Sequence, residues 1–198
     1  MKKGISLVEL ILAIALLAVI VVAATGIDVA ARYFFKSSDS KTRVINDASF
    51  ILEHMHKYVS RAHGHASNFG YVVADPNTLR IRLDASVSGF TAGFTPADFT
   101  DDIWVQYRFS PSANRMEFCS NWDPATGSCS GGTGVEILSQ RVISHVDPGR
   151  RVFTLSPDLT SVLVDIEARY DPAQSADVRD NPEANLRTAI FFGSHSFN

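Results

Sequence analysis

The sequence predicts an α+β protein in which a long N-terminal helix lies across an antiparallel β-sheet. Two observations lead to this prediction: residues up to about 64 combine an apolar run with a helical stripe, and the later residues alternate as strands between turn signals. A helix followed by a series of strands packs as segregated α and β layers. The 198 residues, 45% of them hydrophobic and 20% charged, suit one domain of ordinary size plus the apolar segment.

The first element is an apolar segment close to the N-terminus. Residues 10–24 are all apolar, and residues 5–27 are numerous enough to cross about 30 Å of hydrocarbon as a helix. Lys2 and Lys3 precede this segment, and the positive-inside rule therefore places the N-terminus in the cytoplasm. We expect a single-pass protein of the inner (cytoplasmic) membrane whose C-terminal domain is periplasmic, or at least extracytoplasmic.

The second element, residues 28–64, is predicted to continue this helix in amphipathic form. Its apolar residues recur at spacings of three and four: Val44, Ala48, Ile51, Leu52, Met55, Val59 and Ala62. Gly64 provides a stop signal, whereas Gly26 and the serine-rich residues 37–40 are expected weak points or bends. A continuous helix from Ile5 to about His63 would be about 85–90 Å long.

The third part, residues 65–198, is predicted to be a β-rich extracytoplasmic domain. Residues 78–84 and 103–109 alternate between apolar and polar side chains, and turn signals lie before the first run at 75–77 and after the second at 110–114. Further strands are predicted at 115–119, 135–143, 152–155, 161–170 and 187–192. We find no internal repeats, and the simplest arrangement is a meander with the helix laid on it.

The domain has two cysteines, Cys119 and Cys129. If the domain is exported, a disulfide closing a hairpin-like loop is expected, and reduced thiols are the alternative. So short a loop would stabilise the fold by about 2–3 kcal/mol. Trp122 lies between the cysteines, where it would either contact a partner from the tip of the loop or fold back as a lid on the core. The sequence leaves these two alternatives open.

An acidic residue, Glu9, interrupts the predicted membrane span. A carboxylate in hydrocarbon costs at least about 2.5 kcal/mol, so such a residue indicates a functional site. A cleaved signal peptide, with a small-residue cleavage site at 22–24, and a plain membrane anchor both explain the apolar run. Neither gives Glu9 a task, although snorkelling to the interface or a protonated carboxyl would make it tolerable.

Residues 4–9, Gly-Ile-Ser-Leu-Val-Glu, resemble the cleavage and methylation motif of type IV prepilins and type II secretion pseudopilins. The resemblance implies that a prepilin peptidase cuts between Gly4 and Ile5 and methylates the new amine of Ile5. Residues 1–4 are then a cytoplasmic leader, and Glu9 becomes the fifth mature residue. The family usually has Phe at the first mature position, where this chain has Ile5. Glycine suits a scissile position because it allows close backbone approach.

The same resemblance implies a pilin-like fold and a role in assembly. In this family the Glu9 carboxylate pairs with the N-terminal ammonium of a neighbouring pilin or pseudopilin subunit in the membrane. Two opposite charges that meet in lipid offset much of each other's cost, which favours assembly and sets its register. The expected function is that of a minor pilin or pseudopilin that initiates or caps a filament. The size of the chain and residues 50–55 are similar to J-type pseudopilins and W-type minor pilins.

Two clusters of metal-ligand residue types are better explained without a metal. His54, His56, His63 and His65 lack the spacing of three or four that brings ligands together on a helix. The acidic loop 171–183 makes Asp177 and Asp180 weak calcium candidates, but it lacks EF-hand spacing and contains Arg179. We therefore expect a polar helix face, a solvated loop and no cofactor.

Other functional classes receive little support. The net charge is −3, or −5 after loss of the two leader lysines (−3 − 2), so nucleic acid is not an expected partner. The chain has no Gly-x-Ser-x-Gly elbow, Walker A motif or dinucleotide-binding glycine pattern, and we do not expect an enzyme. The alternative from another class is an exported binding domain or hydrolase that uses the N-terminus as a signal peptide or simple anchor.

Overall fold

A computed structural model describes residues 6–64, 69–84, 99, 102–130, 134–145, 147 and 149–193 of the chain. Helix α1, Leu7–Val59, contains 53 residues and is therefore about 80 Å long. It runs without a break through Gly26 and residues 37–40, so neither of these expected weak points interrupts the helix. Continuous helix is compatible with Gly26 because an isolated helical glycine costs only about 1 kcal/mol.

The helix ends at Val59, a few residues before the predicted end near His63. The amides of Arg61 and Ala62 bond to the carbonyls three residues earlier, a tightened last turn. The amide of His63 then donates to the Arg82 carbonyl at 2.8 Å, so the chain has already joined the sheet. Capture by a strand, rather than Gly64, therefore ends the helix.

Within the described residues, ten antiparallel strands form two sheets, so the α+β prediction is confirmed and the single meander is wrong. The first sheet contains β1 Tyr71–Asp75, β2 Thr78–Leu83, β3 Ile103–Ser110, β4 Arg115–Asp123, β5 Ser128–Cys129 and β6 Glu136–Ser139. Strands β1 to β4 are in sequence order, and both β5 and β6 pair with β4. The second sheet contains β7 Val142–Ile143, β8 Phe153–Leu155, β9 Ser161–Arg169 and β10 Glu183–Phe191.

Strand β9 explains why the chain forms a second sheet. Its nine residues pair with β10 along their whole length, and β7 and β8 pair with different parts of β9. The 135–143 segment, predicted as one strand, is consequently divided between β6 of the first sheet and β7 of the second. A break at Gln140 and Arg141 allows this change of sheet.

Only the C-terminal part of α1 packs on the domain. Its completely buried residues form the predicted stripe: Val44, Ala48, Ile51, Met55 and Val59. They join a core formed by the inner faces of both sheets, including Tyr107, Phe153 and Ile166. Each fully buried side chain of this kind stabilises the fold by about 1.5–3 kcal/mol, which fixes the helix on the domain.

Candidate functional site

The N-terminal half of α1 leaves an apolar surface uncovered. Every large hydrophobic side chain from Leu7 to Val29 is more than half exposed. Within the described part of the chain, α1 is the one helix that is long and apolar enough to span a membrane. Its position near the N-terminus is also typical of a signal sequence. A membrane anchor is thus compatible with the structure, and its sidedness stays a prediction.

Glu9 forms a capping box with Ser6 at the start of this helix. The Ser6 amide donates to Glu9 Oε2 at 2.9 Å, and the Glu9 amide donates to Ser6 Oγ at 3.2 Å. The box satisfies two amides that otherwise lack helical partners, and a negative charge there suits the helix dipole. Gly4 and Ile5, the predicted cleavage and methylation site, lie outside the described residues.

Sequence reasoning missed this capping role, although the Ser-x-x-Glu pattern of residues 6–9 signals it. Capping gives the Glu9 carboxylate an intrachain partner in the isolated subunit. A carboxylate has about four lone-pair sites, so one capping bond leaves acceptor capacity for an ammonium of another subunit. The cap and the predicted assembly role are therefore compatible.

The loop of residues 171–182 fastens the domain to α1 where the helix leaves it. Lys36 Nζ lies 3.2 Å from Asp180 Oδ1, and the Ser37 hydroxyl donates to the Val178 carbonyl at 3.1 Å. Both side chains of the ion pair are 65% exposed, so it contributes at most about 1 kcal/mol. The loop therefore marks the level at which the helix enters the domain.

The calcium candidates of this loop are engaged in other contacts. Asp177 Oδ1 accepts the amides of Arg179 and Asp180 at 2.8 and 2.9 Å, whereas the Asp180 carboxylate faces Lys36. Among the described residues no group of three or more His, Cys, Asp or Glu side chains is placed to hold a metal ion. The geometry of the loop is that of a helix contact.

A buried asparagine holds the same loop in shape. The Asn181 side chain, 3% exposed, accepts the Asp171 amide at 2.7 Å and donates to the Asp171 and Ser175 carbonyls at 2.9 and 3.0 Å. The backbones of Asp177 and Asn181 also exchange two hydrogen bonds. These bonds satisfy the loop backbone internally, and the loop tip is therefore preorganised.

The predicted disulfide is confirmed. Cys119 of β4 and Cys129 of β5 are bonded, with their Cα atoms 5.9 Å apart. The bond closes the β4–β5 hairpin, in which Trp122 pairs with Cys129 and Asp123 with Ser128. Strand β5 has only two residues, so its backbone pairing with β4 is weak, and the disulfide supplies the second link that keeps β5 in place.

We expect the double substitution Cys119→Ser and Cys129→Ser to lower the free energy of unfolding by about 2–3 kcal/mol, because the open loop regains chain entropy in the unfolded state. Denaturant unfolding of the full chain in detergent, followed by tryptophan fluorescence, measures the change. Reduced wild-type protein is the matched control, and its unfolding midpoint in denaturant should equal that of the variant. Equal stability of oxidised wild type and the variant would contradict this account of the hairpin.

Trp122 does not lie at the tip of the disulfide loop, where the partner-contact alternative would need it. It belongs to β4 and is only 8% exposed, because an irregularity in the β3–β4 register brings it opposite Trp104. The Arg80 guanidinium covers its ring at 3.9 Å, and the Trp104 ring meets it edge-on at 6.4 Å. Trp122 therefore packs on the first sheet beside Arg80 and Trp104, and it is not part of the core cluster that a lid was expected to cover.

Three of the four candidate histidines are described by the structure, and these three do not come together as metal ligands. His54 is half-buried, His56 is exposed and His63 is buried where the chain joins the sheet, whereas His65 lies outside the described residues. His54 Nδ1 is 2.9 Å from the Tyr107 hydroxyl, and its ring meets Phe118 edge-on at 4.6 Å. Its function in the structure is to connect α1 with the first sheet.

Burial lowers the pKa of His54; Glu136 opposes this effect and Lys57 adds to it. Since the folded-state pKa lies below the unfolded value of 6.5, the unfolded chain binds the proton more readily. The contribution of His54 to the free energy of unfolding is thus fully present above pH 6.5, the unfolded-state pKa, and it is lost as the pH falls from 6.5 towards the folded-state pKa.

We therefore expect the wild-type unfolding midpoint to fall between pH about 7.5 and about 5.5, and to fall less in His54→Gln. Denaturant titrations at both pH values test this. The other histidines are common to both proteins, so the difference between the two slopes belongs to His54. If the unfolding midpoint changed equally with pH in wild type and in His54→Gln, the assignment of this pH dependence to His54 would be contradicted.

Comparison with known proteins finds no family model, no curated protein and no solved structure that matches this chain.

Proposed function

We infer that the chain is a minor pilin or pseudopilin, a structural subunit that initiates or caps a type IV pilus or a type II secretion pseudopilus. The observation that supports this most is the division of α1 into two halves. One half packs a buried stripe on a disulfide-bonded domain, and the other is an exposed apolar rod with a single carboxylate near its start.

An exposed apolar surface of this length is unfavourable in water and is expected to be buried by lipid or by other proteins. Contiguous apolar patches beyond a few hundred Å² mark contacts with a membrane or with other proteins. A helix of about 80 Å is long enough to bury some 30 Å in a bilayer and still carry the domain outside. Because α1 is unbroken, the same rod can leave the lipid and pack beside equivalent helices without refolding.

Glu9 gives such lateral packing a direction. The motif of residues 4–9 implies a mature chain that begins with an ammonium on Ile5, four residues before the Glu9 carboxylate. Between neighbouring subunits that are staggered along the filament, one ammonium would meet the next carboxylate. Pairing in a low-dielectric environment stabilises this register more strongly than it would in water.

The proposal is tested by co-fractionation from the cells that make the protein. Filaments or membrane-bound pseudopilus complexes are purified, and the tagged chain is quantified by immunoblot. We expect it to co-purify with pilin-like subunits in small amount relative to the main subunit. Exclusive recovery as a free periplasmic domain, or as a membrane protein without pilin-like partners, would overturn the proposal.

A further inference from the structure

We propose that the domain rests on the outer leaflet of the membrane through a membrane collar, formed by Tyr33, Phe34 and Phe35 of α1 and Val178 of the adjoining loop. This inference deepens the proposed function, since it requires the N-terminal half of α1 to span a bilayer. It adds a second contact with lipid, made by the exported part of the chain before assembly.

The position of the collar follows from the length of the helix. If the Glu9 carboxylate reaches the cytoplasmic headgroups before assembly, Leu10 marks the edge of the hydrocarbon, and about 30 Å of straight helix from there ends near Val29. The outer headgroup layer adds about 5–8 Å, equivalent to another four or five residues. That layer therefore ends at Tyr33 and Phe34, where aromatic side chains are most favoured.

The angular distribution of the aromatic residues points to lipid rather than to one protein neighbour. Tyr33, Phe34 and Phe35 are 61%, 71% and 70% exposed. As consecutive residues at about 100° per step, they sweep about 200° around the helix. A partner helix would cover a stripe spaced by three and four residues, whereas a headgroup layer surrounds the helix on all sides.

Val178 extends the collar onto the domain. It is 87% exposed, at the tip of the loop that Asn181 holds in shape, and its carbonyl bonds to Ser37. Ser37 is only two residues above Phe35, a rise of about 3 Å along the helix. An ordinary helix tilt of about 20° towards the loop would bring this tip still closer to the lipid.

The charges at this level balance, since Asp177 and Arg179 flank Val178 with opposite signs and the other charges form two ion pairs. Asp28 and Arg32 lie 2.9 Å apart on the helix, and Lys36 faces Asp180 at 3.2 Å. Paired opposite charges leave the collar close to neutral, so its attraction to the membrane should be apolar. We therefore expect contact with zwitterionic lipid, without a need for anionic headgroups.

The test uses the full chain in phosphatidylcholine vesicles that contain a lipid with a headgroup spin label. A fluorophore is attached to Val178→Cys, which is possible because both native cysteines are in a disulfide. The comparison probe is Lys57→Cys, about 30 Å further along the same helix. We expect severalfold stronger quenching at position 178 than at 57, unchanged when anionic lipid is added.

Variants then separate the collar from the anchor. The triple variant Tyr33→Ser, Phe34→Ser, Phe35→Ser should reduce quenching at position 178 towards the level at position 57. The control Phe50→Ser removes an exposed aromatic residue about 22 Å further along the helix and should leave quenching at position 178 unchanged. Equal quenching at positions 178 and 57, in a chain that floats with the vesicles, would overturn the collar alone. The collar would also be overturned if the fluorophore at position 178 were shielded from water only in assembled filaments and not in vesicles. A chain that does not float with vesicles would overturn both the collar and the proposed function.

Discussion

Glu9→Gln is expected to enter the membrane normally and to lose at least about tenfold of its incorporation into filaments. Gln can replace Glu in a capping box, so the bonds with Ser6 are retained while the negative charge is lost. Under the proposed assembly role, the ammonium of the neighbouring subunit would then lack its partner in lipid. A loss of about 1.4 kcal/mol of pairing energy already corresponds to a factor of ten, and an intramembrane charge costs about twice that.

Ser6→Ala is the matched control. It removes the capping hydroxyl, which costs about 0.5–2 kcal/mol of helix stability, and leaves the carboxylate in place. We expect incorporation close to wild type for Ser6→Ala and strongly reduced for Glu9→Gln, measured by quantitative immunoblot of sheared filaments against total membrane protein. The reverse order, with Glu9→Gln normal and Ser6→Ala defective, would mean that Glu9 acts only as a helix cap.

Gly70→Ala is expected to destabilise the domain by at least about 3 kcal/mol. A Cβ at this position would lie 2.0 Å from the His63 carbonyl oxygen and 2.4 Å from its carbon. Neither backbone can move easily, since the amide of His63 bonds to the Arg82 carbonyl and the amide of Arg82 to the Gly70 carbonyl. Overpacking usually costs about 1–3 kcal/mol, and a clash with fixed backbone belongs at or above the upper end of that range.

Gly26→Ala provides the same chemical change without the clash. Apart from its chain neighbours and the backbone of its own helix turns, no described atom lies within 4 Å of the position that its Cβ would take, and alanine is favoured in a helix. Denaturant unfolding of both full-length variants in detergent, followed by the fluorescence of Trp104 and Trp122, should show a large loss for Gly70→Ala and none for Gly26→Ala. A Gly70→Ala midpoint within error of wild type would show that the junction between α1 and the first sheet can adjust.

The helix was predictable because its signals are local and redundant. The stripe Val44–Ala48–Ile51–Met55–Val59 repeats at the helical period, and each of these residues is buried. The end of the helix was not predictable from Gly64, because the terminating bond joins His63 to Arg82, a strand residue distant in sequence. Boundaries that depend on such contacts cannot be read from a local window.

The strands were predicted better than their pairing. The alternating runs 78–84 and 103–109 correspond closely to β2 and β3, whereas β1 and the two-residue β5 were missed. Division into two sheets depends on which strands β9 selects as neighbours, a choice made by packing rather than by local pattern.

In the candidate site, too, features set by local sequence were predictable and features set by strand packing were not. The Cys119–Cys129 bond follows from spacing and expected export, and it is confirmed. The sequence could not decide between the two alternatives for Trp122, because the register irregularity in β4, which places it against Trp104 and under Arg80, has no sequence signal as strong as a turn glycine. The roles of Gly4, Ile5 and Glu9 in processing and assembly stay predictions of the motif.

The central claim, that this chain is processed and assembled as a pilin-like subunit, is tested most directly by the mass of its mature N-terminus. The protein is purified from its native membranes and analysed by intact mass and N-terminal peptide mass spectrometry. We predict a chain that begins at Ile5 with a methylated amine and retains the whole apolar half of α1. A chain that begins at Thr25, or one that still carries Met1 to Gly4 in cells with active prepilin peptidase, would contradict it.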